Sequence, residues 1–371
     1  MSTRKLLVDV HTHVYLPRYA SFLRARAVAP KIFSRPVPGE PGAREDRLVI
    51  LDNEPSGGRP IGPQYWDRPE KLAFMDKHGI DVSVVSSANP WLDFLSAPEA
   101  NTLAKELNDD LEGFCSSSPE LDSAPSGSGP SIKRLYGLGL LPLVPEASPS
   151  DVLKTITQIS SLPHLKGVIM GTQGLGRGLD DEELEPVWGE IERNGLVVFL
   201  HPHYGVPSSM WGERDNGHVL PLALGFPFET TIAITRMILA GVLDKFPSLK
   251  IMLAHSGGAL PALSSRLASC IDHDPVVASR LKHNARYYLG QLYFDAVAYG
   301  SEELGFGKLR ALGSSRMLFG TDHPFFPPLK GTDKWRSVTE NLAAINGVAG
   351  WGDKEREAVC GGNALRIFNL A

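Results

Sequence analysis

The chain is poor in cysteine, and its three cysteines (Cys115, Cys270 and Cys360) lie far apart along the 371 residues. A small, odd number of widely separated cysteines argues against a disulfide framework and for a reducing compartment. No CxxC pair is present, so the sequence offers no thiolate zinc site. These absences exclude the disulfide-rich and cysteine-metal classes of protein.

The chain also lacks a cluster of lysine and arginine that could bind nucleic acid or anionic lipid, and its net charge is −5 with a pI near 6.1. No run of 18 apolar residues occurs, and the start of the chain has no signal-peptide pattern. We therefore expect a soluble, cytoplasmic protein with neither a nucleic-acid nor a membrane partner.

What the chain does contain is a globular composition, with 42% hydrophobic and 21% charged residues. Short apolar runs, rich in β-branched residues, recur between segments with the length and pattern of helices. Continuous apolar runs are typical of parallel strands that are buried on both faces. The eight runs span residues 6–14, 82–88, 135–143, 165–170, 196–200, 249–254, 292–298 and 317–320.

Eight strand-helix units predict an α/β fold, most simply a (β/α)8 TIM barrel that occupies residues 1–371 as a single domain. Two segments interrupt the regular spacing. Residues 15–66, rich in Pro, Gly and Arg, are too long for an ordinary connection, and we predict an insertion after strand 1 that serves as a lid. Residues 116–131 are of low complexity and are predicted to form a mobile loop.

Polar side chains that can bind metal follow several of the predicted strands. His11 and His13 end the first run, and positions i and i+2 of a strand share one face. His201, His255 and Asp322 end the fifth, sixth and eighth runs. Active sites of TIM barrels lie at the carboxyl ends of the strands, so we expect these side chains to meet there.

Imidazoles and a carboxylate favour a borderline divalent cation, and His11, His13, His201 and Asp322 would leave a position open for substrate or water. Zinc is the first choice and manganese the second. The alternative is that each histidine is simply a hydrogen-bonded residue of the core.

Motifs at these strand ends resemble the amidohydrolase superfamily, and within it the decarboxylase branch. The segments that carry the resemblance are "HTH" at residue 11, "LHPH" at 200, "LAHSGGALP" at 253 and "LFGTDHPF" at 318. Connecting segments such as "RLYGLGLLPL" at residue 134 follow the same pattern. The resemblance covers most of the chain outside the two interruptions.

The resemblance implies one metal ion held by His11, His13, His201 and Asp322, with His255 beside it as an unligated histidine. Binuclear members add a lysine at the end of strand 4, but here Lys166 lies at the start of that run. A mononuclear site follows. Asp322 would shuttle the proton to carbon, with His255 binding a substrate oxygen or tuning proton affinity; alternatively, Asp322 is only a ligand and a metal-bound water is the acid.

Four further residues are candidates for substrate contacts. Arg68 stands about where the family places an arginine for a carboxylate, Asn89 follows strand 2 and could contact a carbonyl or ring N–H, and Trp211 and Phe326 could sandwich a planar ring. Each could equally have an ordinary structural role: Arg68 as a solvated arginine, Asn89 as a turn residue before proline, and the two aromatic residues in packing.

The functional expectation is a zinc-dependent, non-oxidative decarboxylase of a planar carboxylic acid, with uracil-5-carboxylate as the favoured substrate. The alternatives within the branch are a hydroxybenzoate of the γ-resorcylate or 5-carboxyvanillate type and 2-amino-3-carboxymuconate semialdehyde. From other classes we retain a metal-dependent hydrolase of a lactone or amide and a barrel that binds a ligand without catalysis. The resemblance also implies a homodimer.

Overall fold

Eight parallel strands form the centre of the fold in a computed structural model that describes residues 5–52, 54, 57–121, 132–300 and 313–370. Each strand pairs with the next in chain order, which confirms the predicted (β/α)8 barrel. The strands are β1 (Val8–Val14), β5 (Val82–Ser87), β6 (Leu135–Leu140), β7 (Leu165–Met170), β8 (Val197–Leu200), β9 (Lys250–Leu253), β10 (Tyr293–Asp295) and β11 (Met317–Leu318).

The barrel closes between its first and last strands. The Val10 N–H donates to the Phe319 carbonyl at 3.0 Å, and the His13 N–H donates to the His323 carbonyl at 2.7 Å. Thr12 forms a parallel bridge with His323. All seven residues of β1 are buried, as expected for a strand covered on both faces.

Helices form the outer layer of the barrel. The third of them begins with a capping box, in which Ser96 and Glu99 bond each other's backbone N–H groups. The described helices are α1 (Pro17–Arg24), α2 (Arg68–His78), α3 (Ala97–Ser116), α4 (Pro149–Ser161), α5 (Glu185–Arg193), α6 (Phe226–Leu239), α7 (Val242–Lys245), α8 (Leu260–His273), α9 (Pro275–Arg280), α10 (Ala285–Gln291), α11 (Arg336–Gly347), α12 (Asp353–Glu357) and α13 (Asn363–Ile367).

The long connection after β1 has a structure of its own. Helix α1 is followed by a three-stranded antiparallel sheet of β2 (Lys31–Pro36), β3 (Arg44–Val49) and β4 (Arg59–Ile61). The sheet brings Arg59 back to the barrel, where its side chain bonds Tyr15 at the end of β1. The other predicted interruption, residues 116–131, lies outside the described residues from 122 onwards.

One apolar helical segment, residues 221–239, is long enough by length and composition to cross a membrane. About 44% of it is buried within the fold. The buried side includes Ala233, Ile234, Met237 and Ile238, so the segment is part of the outer layer of the barrel.

Candidate metal centre and active site

Three histidines and one aspartate converge at the carboxyl ends of the strands. His11, His13, His201 and Asp322 each offer one ligand atom, and these four atoms lie within 4.8 Å of one another. All four residues are buried. We refer to this cluster as the floor of the site. It is the only such group found among the residues that the structure describes.

The outer nitrogen of each histidine has a partner that fixes the ring. His11 Nδ1 lies 2.6 Å from Asp295, and His13 Nδ1 lies 3.1 Å from the Ser86 hydroxyl. His201 Nδ1 lies 2.8 Å from the Pro202 carbonyl. A proton on each Nδ1 leaves the lone pair on Nε2, and second partners of this kind are typical of metal-binding histidines.

The inner nitrogens make no hydrogen bond of good geometry; those of His11 and His13 lie 3.3 and 3.4 Å from Asp322 Oδ1. The Nε2 atoms of His11, His13 and His201 are buried and face each other across the floor. Buried polar atoms are rarely left unsatisfied in proteins. The donor set therefore fits a divalent cation that accepts imidazole and carboxylate ligands.

Burial and the neighbouring charges shift the pKa values of the floor residues. Burial opposes charge on His11, but Asp295 and Asp322 outweigh it and raise the pKa of His11 to about 10. Burial lowers the pKa of His13 to about 4 and that of His201 well below its usual value. Against the effect of burial, the charge of His11 holds the pKa of Asp322 well below its ordinary range. The site thus favours one positive charge among these ligands, which a cation can supply in place of the His11 proton.

His255 lies beside the floor but is not part of it. Its ring centroid is 5.1 Å from those of His11 and His201, and its Nε2 is 3.9 Å from Asp322 Oδ2. About 19% of its side chain is exposed, whereas the side chains of His11 and His13 are fully buried. His255 is therefore placed to contact a bound molecule and Asp322 together.

Backbone strain collects around the site. Five non-glycine residues here have left-handed φ values between 53° and 59°. They are His255, Ser256, Tyr299, Asp322 and Phe326. Such conformations cost of order 1–3 kcal/mol each and persist where the surroundings enforce them.

A buried lysine supports the floor from one side. Lys71 Nζ lies 2.6 Å from Thr12 Oγ1 and 2.7 Å from His323 Nδ1, and so contacts the neighbours of three ligands. Burial lowers the pKa of Lys71, and burial raises the pKa of nearby Asp9. Asp9 accepts hydrogen bonds from the backbone and hydroxyl of Thr321 at 3.0 and 2.7 Å.

Aromatic and cationic side chains from the insertion and from the loop after β11 cover the floor. Phe325 lies 5.4 Å from the ring of His13 and 5.7 Å from that of Tyr65. The guanidinium of Arg59 lies 4.5 Å from the Phe325 ring centroid. We call Arg59, Tyr65, Phe325 and Phe326 the roof of the site.

Arg59 is a residue that the sequence analysis missed. Its Nη2 donates to the Tyr15 hydroxyl at 2.5 Å and to the Asn89 carbonyl at 2.7 Å, while its buried Nε has no partner. Among the described residues no carboxylate forms an ion pair with it. No local motif distinguishes Arg59, because it reaches the site only through the folding of the inserted sheet.

Arg68, the arginine expected at the substrate, points elsewhere. Its guanidinium bonds the Ser117 hydroxyl and approaches the Phe114 carbonyl at 3.5 Å, both in the last turn of α3. These contacts hold α2 against α3, and no described contact joins Arg68 to the floor. The geometry therefore supports Arg68 as a residue that joins two helices rather than as a contact for the substrate carboxylate.

Asn89 lies at the barrel end where the sequence placed it, although its side chain is already engaged. Its Nδ2 donates to the His203 carbonyl at 3.0 Å, and its Oδ1 lies 3.4 Å from Arg59 Nη2. Neighbouring Trp91 packs against the rings of His201 and His203. Asn89 thus joins the roof arginine to the loop after β8.

The two aromatic candidates are placed differently. Phe326 is 48% exposed and contacts the Tyr299 ring at 5.3 Å, next to the floor residue Asp322. Trp211 is half-buried and packs near Gly225, and none of its described contacts reaches the floor. Phe325, adjacent to Phe326, has the direct ring contact with His13.

Residues 131–370 match the amidohydrolase family profile, which covers more than half of the chain. The chain belongs to the amidohydrolase family. This assignment agrees with the resemblance found in the sequence, and members of the family are metal-dependent.

Several proteins similar to this chain are named as decarboxylases. IDCase from Metarhizium anisopliae is 41% identical with a TM-score of 0.86, over 98% of this chain and 97% of that one. The 2-amino-3-carboxymuconate-6-semialdehyde decarboxylase of Dictyostelium discoideum is 29% identical over 84% of this chain and 79% of its own length. The γ-resorcylate decarboxylase of Rhodococcus jostii is 25% identical over 76% and 88%. The protein is accordingly a decarboxylase of this family.

Proposed function

We propose that the protein is a metal-dependent, non-oxidative decarboxylase that converts uracil-5-carboxylate (isoorotate) to uracil and CO2. The observation that carries the proposal is a floor of convergent Nε2 atoms below a roof that holds a half-buried arginine, whose buried Nε has no partner and which forms no ion pair with a carboxylate among the described residues. The 41% identity to IDCase over nearly the whole chain supports the choice of isoorotate.

Zinc, or in second place manganese, would be held by His11, His13, His201 and Asp322, and when bound would act as a Lewis acid on the substrate carboxylate and the oxygen beside it. Among the described residues no lysine stands at the carboxyl end of β7, where binuclear members of the family place one. Lys166 is at the start of β7 and faces the ring of Tyr136 at 5.5 Å. This arrangement supports a mononuclear site.

The roof supplies the contacts for a flat anion. Arg59 offers a positive charge and the free N–H of its buried Nε, and Phe325 offers an aromatic surface beside His13. A pyrimidine also presents carbonyl and N–H groups; the Arg59 Nε–H can donate to a carbonyl, while the exposed Phe326 offers a second aromatic surface to the ring. Trp211 and Arg68 have no described contact that supports such a role.

We assign proton delivery to Asp322 and His255. A proton adds to C5 of the ring, the bond from C5 to the carboxylate carbon breaks, and its electron pair restores the ring double bond as CO2 leaves. The Nε2 of His255 and Oδ2 of Asp322 are 3.9 Å apart, so a small movement of either side chain allows a proton to pass between them. In its ionised form Asp322 takes up this proton from His255 before giving it to carbon.

The proposal is tested by measuring CO2 release from 5-carboxyuracil in parallel with γ-resorcylate and 5-carboxyvanillate. We expect the highest kcat/KM with 5-carboxyuracil and, in D2O, one deuterium at C5 of the product. Turnover of the hydroxybenzoates alone would show that the protein is instead a decarboxylase of phenolic acids. Opening of a lactone without CO2 release would favour the hydrolase alternative.

A homodimer is the proposed assembly. Residues 219–232 expose five apolar side chains within one helical segment, and Met210 is exposed as well; exposed apolar surface concentrated in this way is typical of an interaction surface. The exposed residues are Met210 (66%), Val219 (67%), Leu222 (37%), Leu224 (41%), Phe228 (38%) and Ile232 (52%). Sedimentation of the wild type and of Ile232→Glu tests this, with a dimer expected for the first and a monomer for the second.

We further propose a cytoplasmic location, which fractionation of the native cells would test.

A further inference from the structure

One carboxylate below the site, Asp295 at the end of β10, has no role in the proposed chemistry but contacts two residues that do. Its Oδ2 lies 2.6 Å from His11 Nδ1 and accepts from the His255 N–H at 3.1 Å. Its Oδ1 accepts from the N–H groups of Ser256 and Val297 at 2.8 and 3.0 Å. The side chain is fully buried, and these four are the hydrogen bonds that the structure describes for its carboxylate.

The bond to His11 differs in kind from those of the other two histidines. His13 is held by the neutral Ser86 hydroxyl, and His201 by a carbonyl of its own loop. Only His11, among these three ligands, has a carboxylate behind it. A carboxylate fixes the Nδ1–H tautomer and makes Nε2 a stronger donor to a metal.

The bonds to the backbone hold a strained turn. His255 and Ser256 have φ values of 53° and 54°, and both N–H groups point to Asp295. The Ser256 hydroxyl adds a bond to the Asp295 carbonyl at 2.9 Å. Without these bonds the turn can relax toward an unstrained conformation, and His255 would move away from Asp322.

We propose that Asp295 is a positioning residue with two tasks, to orient His11 toward the metal and to hold His255 against Asp322. A single oxygen, Oδ2, serves both, so the metal ligand and the proton-transfer histidine are fixed relative to each other. The catalytic half of this inference rests on the proposed decarboxylase; the metal-binding half does not.

The test is Asp295→Asn, with Asp244→Asn as the matched control. Asp244 also accepts a backbone and a side-chain bond, from Lys282 N at 3.0 Å and Tyr288 Oη at 2.7 Å, but in the outer layer. In Asp295→Asn the amide nitrogen can displace Oδ2, so the variant loses an acceptor for His11 or for the turn. The readouts are Co²⁺ affinity, the visible absorption of bound Co²⁺, and kcat and KM at saturating metal.

We expect Asp295→Asn to bind Co²⁺ about 10- to 100-fold more weakly and to show a changed Co²⁺ spectrum. At saturating metal its kcat should fall while KM stays close to that of the wild type, because the lost contact concerns proton transfer rather than substrate binding. Asp244→Asn should match the wild type in each readout. An Asp295→Asn protein with wild-type affinity, spectrum and kcat would overturn the proposal.

A measurement on the unmodified protein covers the case in which the variant does not fold. In ¹⁵N-histidine NMR of the metal-loaded wild type, the Nδ1 proton of His11, assigned by its loss in His11→Gln, should resonate furthest downfield and exchange most slowly. An ordinary shift for this proton would contradict the proposal. If no acid is decarboxylated but Asp295→Asn still weakens Co²⁺ binding, the proposed function fails and the metal-positioning role stands.

Discussion

The floor and the roof of the site are held in different ways. Each floor histidine has a partner behind it, and the floor residues are buried on regular strands or close to their ends. The roof comes from an inserted sheet and a loop, with an unpartnered Arg59 Nε and a Phe326 that is 48% exposed. Rigid support suits a metal site, whereas adaptable surfaces suit recognition. The comparison therefore assigns the chemistry to the floor and the choice of substrate to the roof.

The largest effect is expected at the floor. Asp322→Asn keeps the shape of the side chain but removes its charge and its ability to carry a proton, so we expect kcat to fall about 10³-fold. The measurement is CO2 release from 5-carboxyuracil at saturating metal. Asp333→Asn, whose parent side chain is 84% exposed, is the control and should keep wild-type activity. Substantial activity in Asp322→Asn would show that Asp322 does not carry the proton to the substrate.

The next effect distinguishes Arg59 of the long connection from Arg68 at the start of α2. Arg59→Ala should lower kcat/KM about 100-fold, because it removes the half-buried positive charge proposed to contact the substrate anion. Arg68→Ala should change kcat/KM by less than about threefold, since it loses only bonds between two helices. Steady-state kinetics on the same substrate decide between them. The reverse order of effects would restore the sequence-based choice of Arg68.

Metal removal compares the floor with the rest of the barrel. A cation bound at 100 times its Kd stabilises the native state by about 2.7 kcal/mol, so chelation should lower the melting temperature measurably. Zinc or manganese should restore it in the wild type, and the more effective ion identifies the preferred metal. His201→Ala should show no such dependence. A wild type whose melting is indifferent to chelator would contradict the metal site.

The smallest effect concerns Lys71 at the side of the floor. Its pKa is lowered by burial from 10.5 to about 7, so the unfolded chain binds more protons than the native one between these values. Stability contributed by this group therefore rises with pH across that range and is lowest below it. Denaturant unfolding should therefore be followed at several pH values. The unfolding free energy of the wild type minus that of Lys71→Met should rise as pH is raised. A constant difference would show that Lys71 is charged in the native protein.

The barrel and the floor could be predicted from the sequence because both follow from local rules. Eight buried apolar runs predict eight parallel strands, and the carboxyl ends of such strands lie at one end of the barrel. His11, His13, His201, His255 and Asp322 could therefore be placed together without knowing any distance. Asp295 was missed because the seventh predicted run extends to residue 298, whereas β10 ends at Asp295.

The roof could not be predicted in this way. Arg59 and Arg68 stand nine residues apart, at the end of the long connection and at the start of α2, and no local sequence motif shows which of them reaches the site. What separates them is the pairing of β4 with β3, which returns Arg59 to Tyr15, and the packing of α2 on α3, which takes Arg68 away. By itself the sequence determined the fold and the residues that can bind a metal, since strand periodicity fixes both. Only the tertiary structure decided which arginine faces the site and what supports each ligand, because those contacts join residues that are distant along the chain.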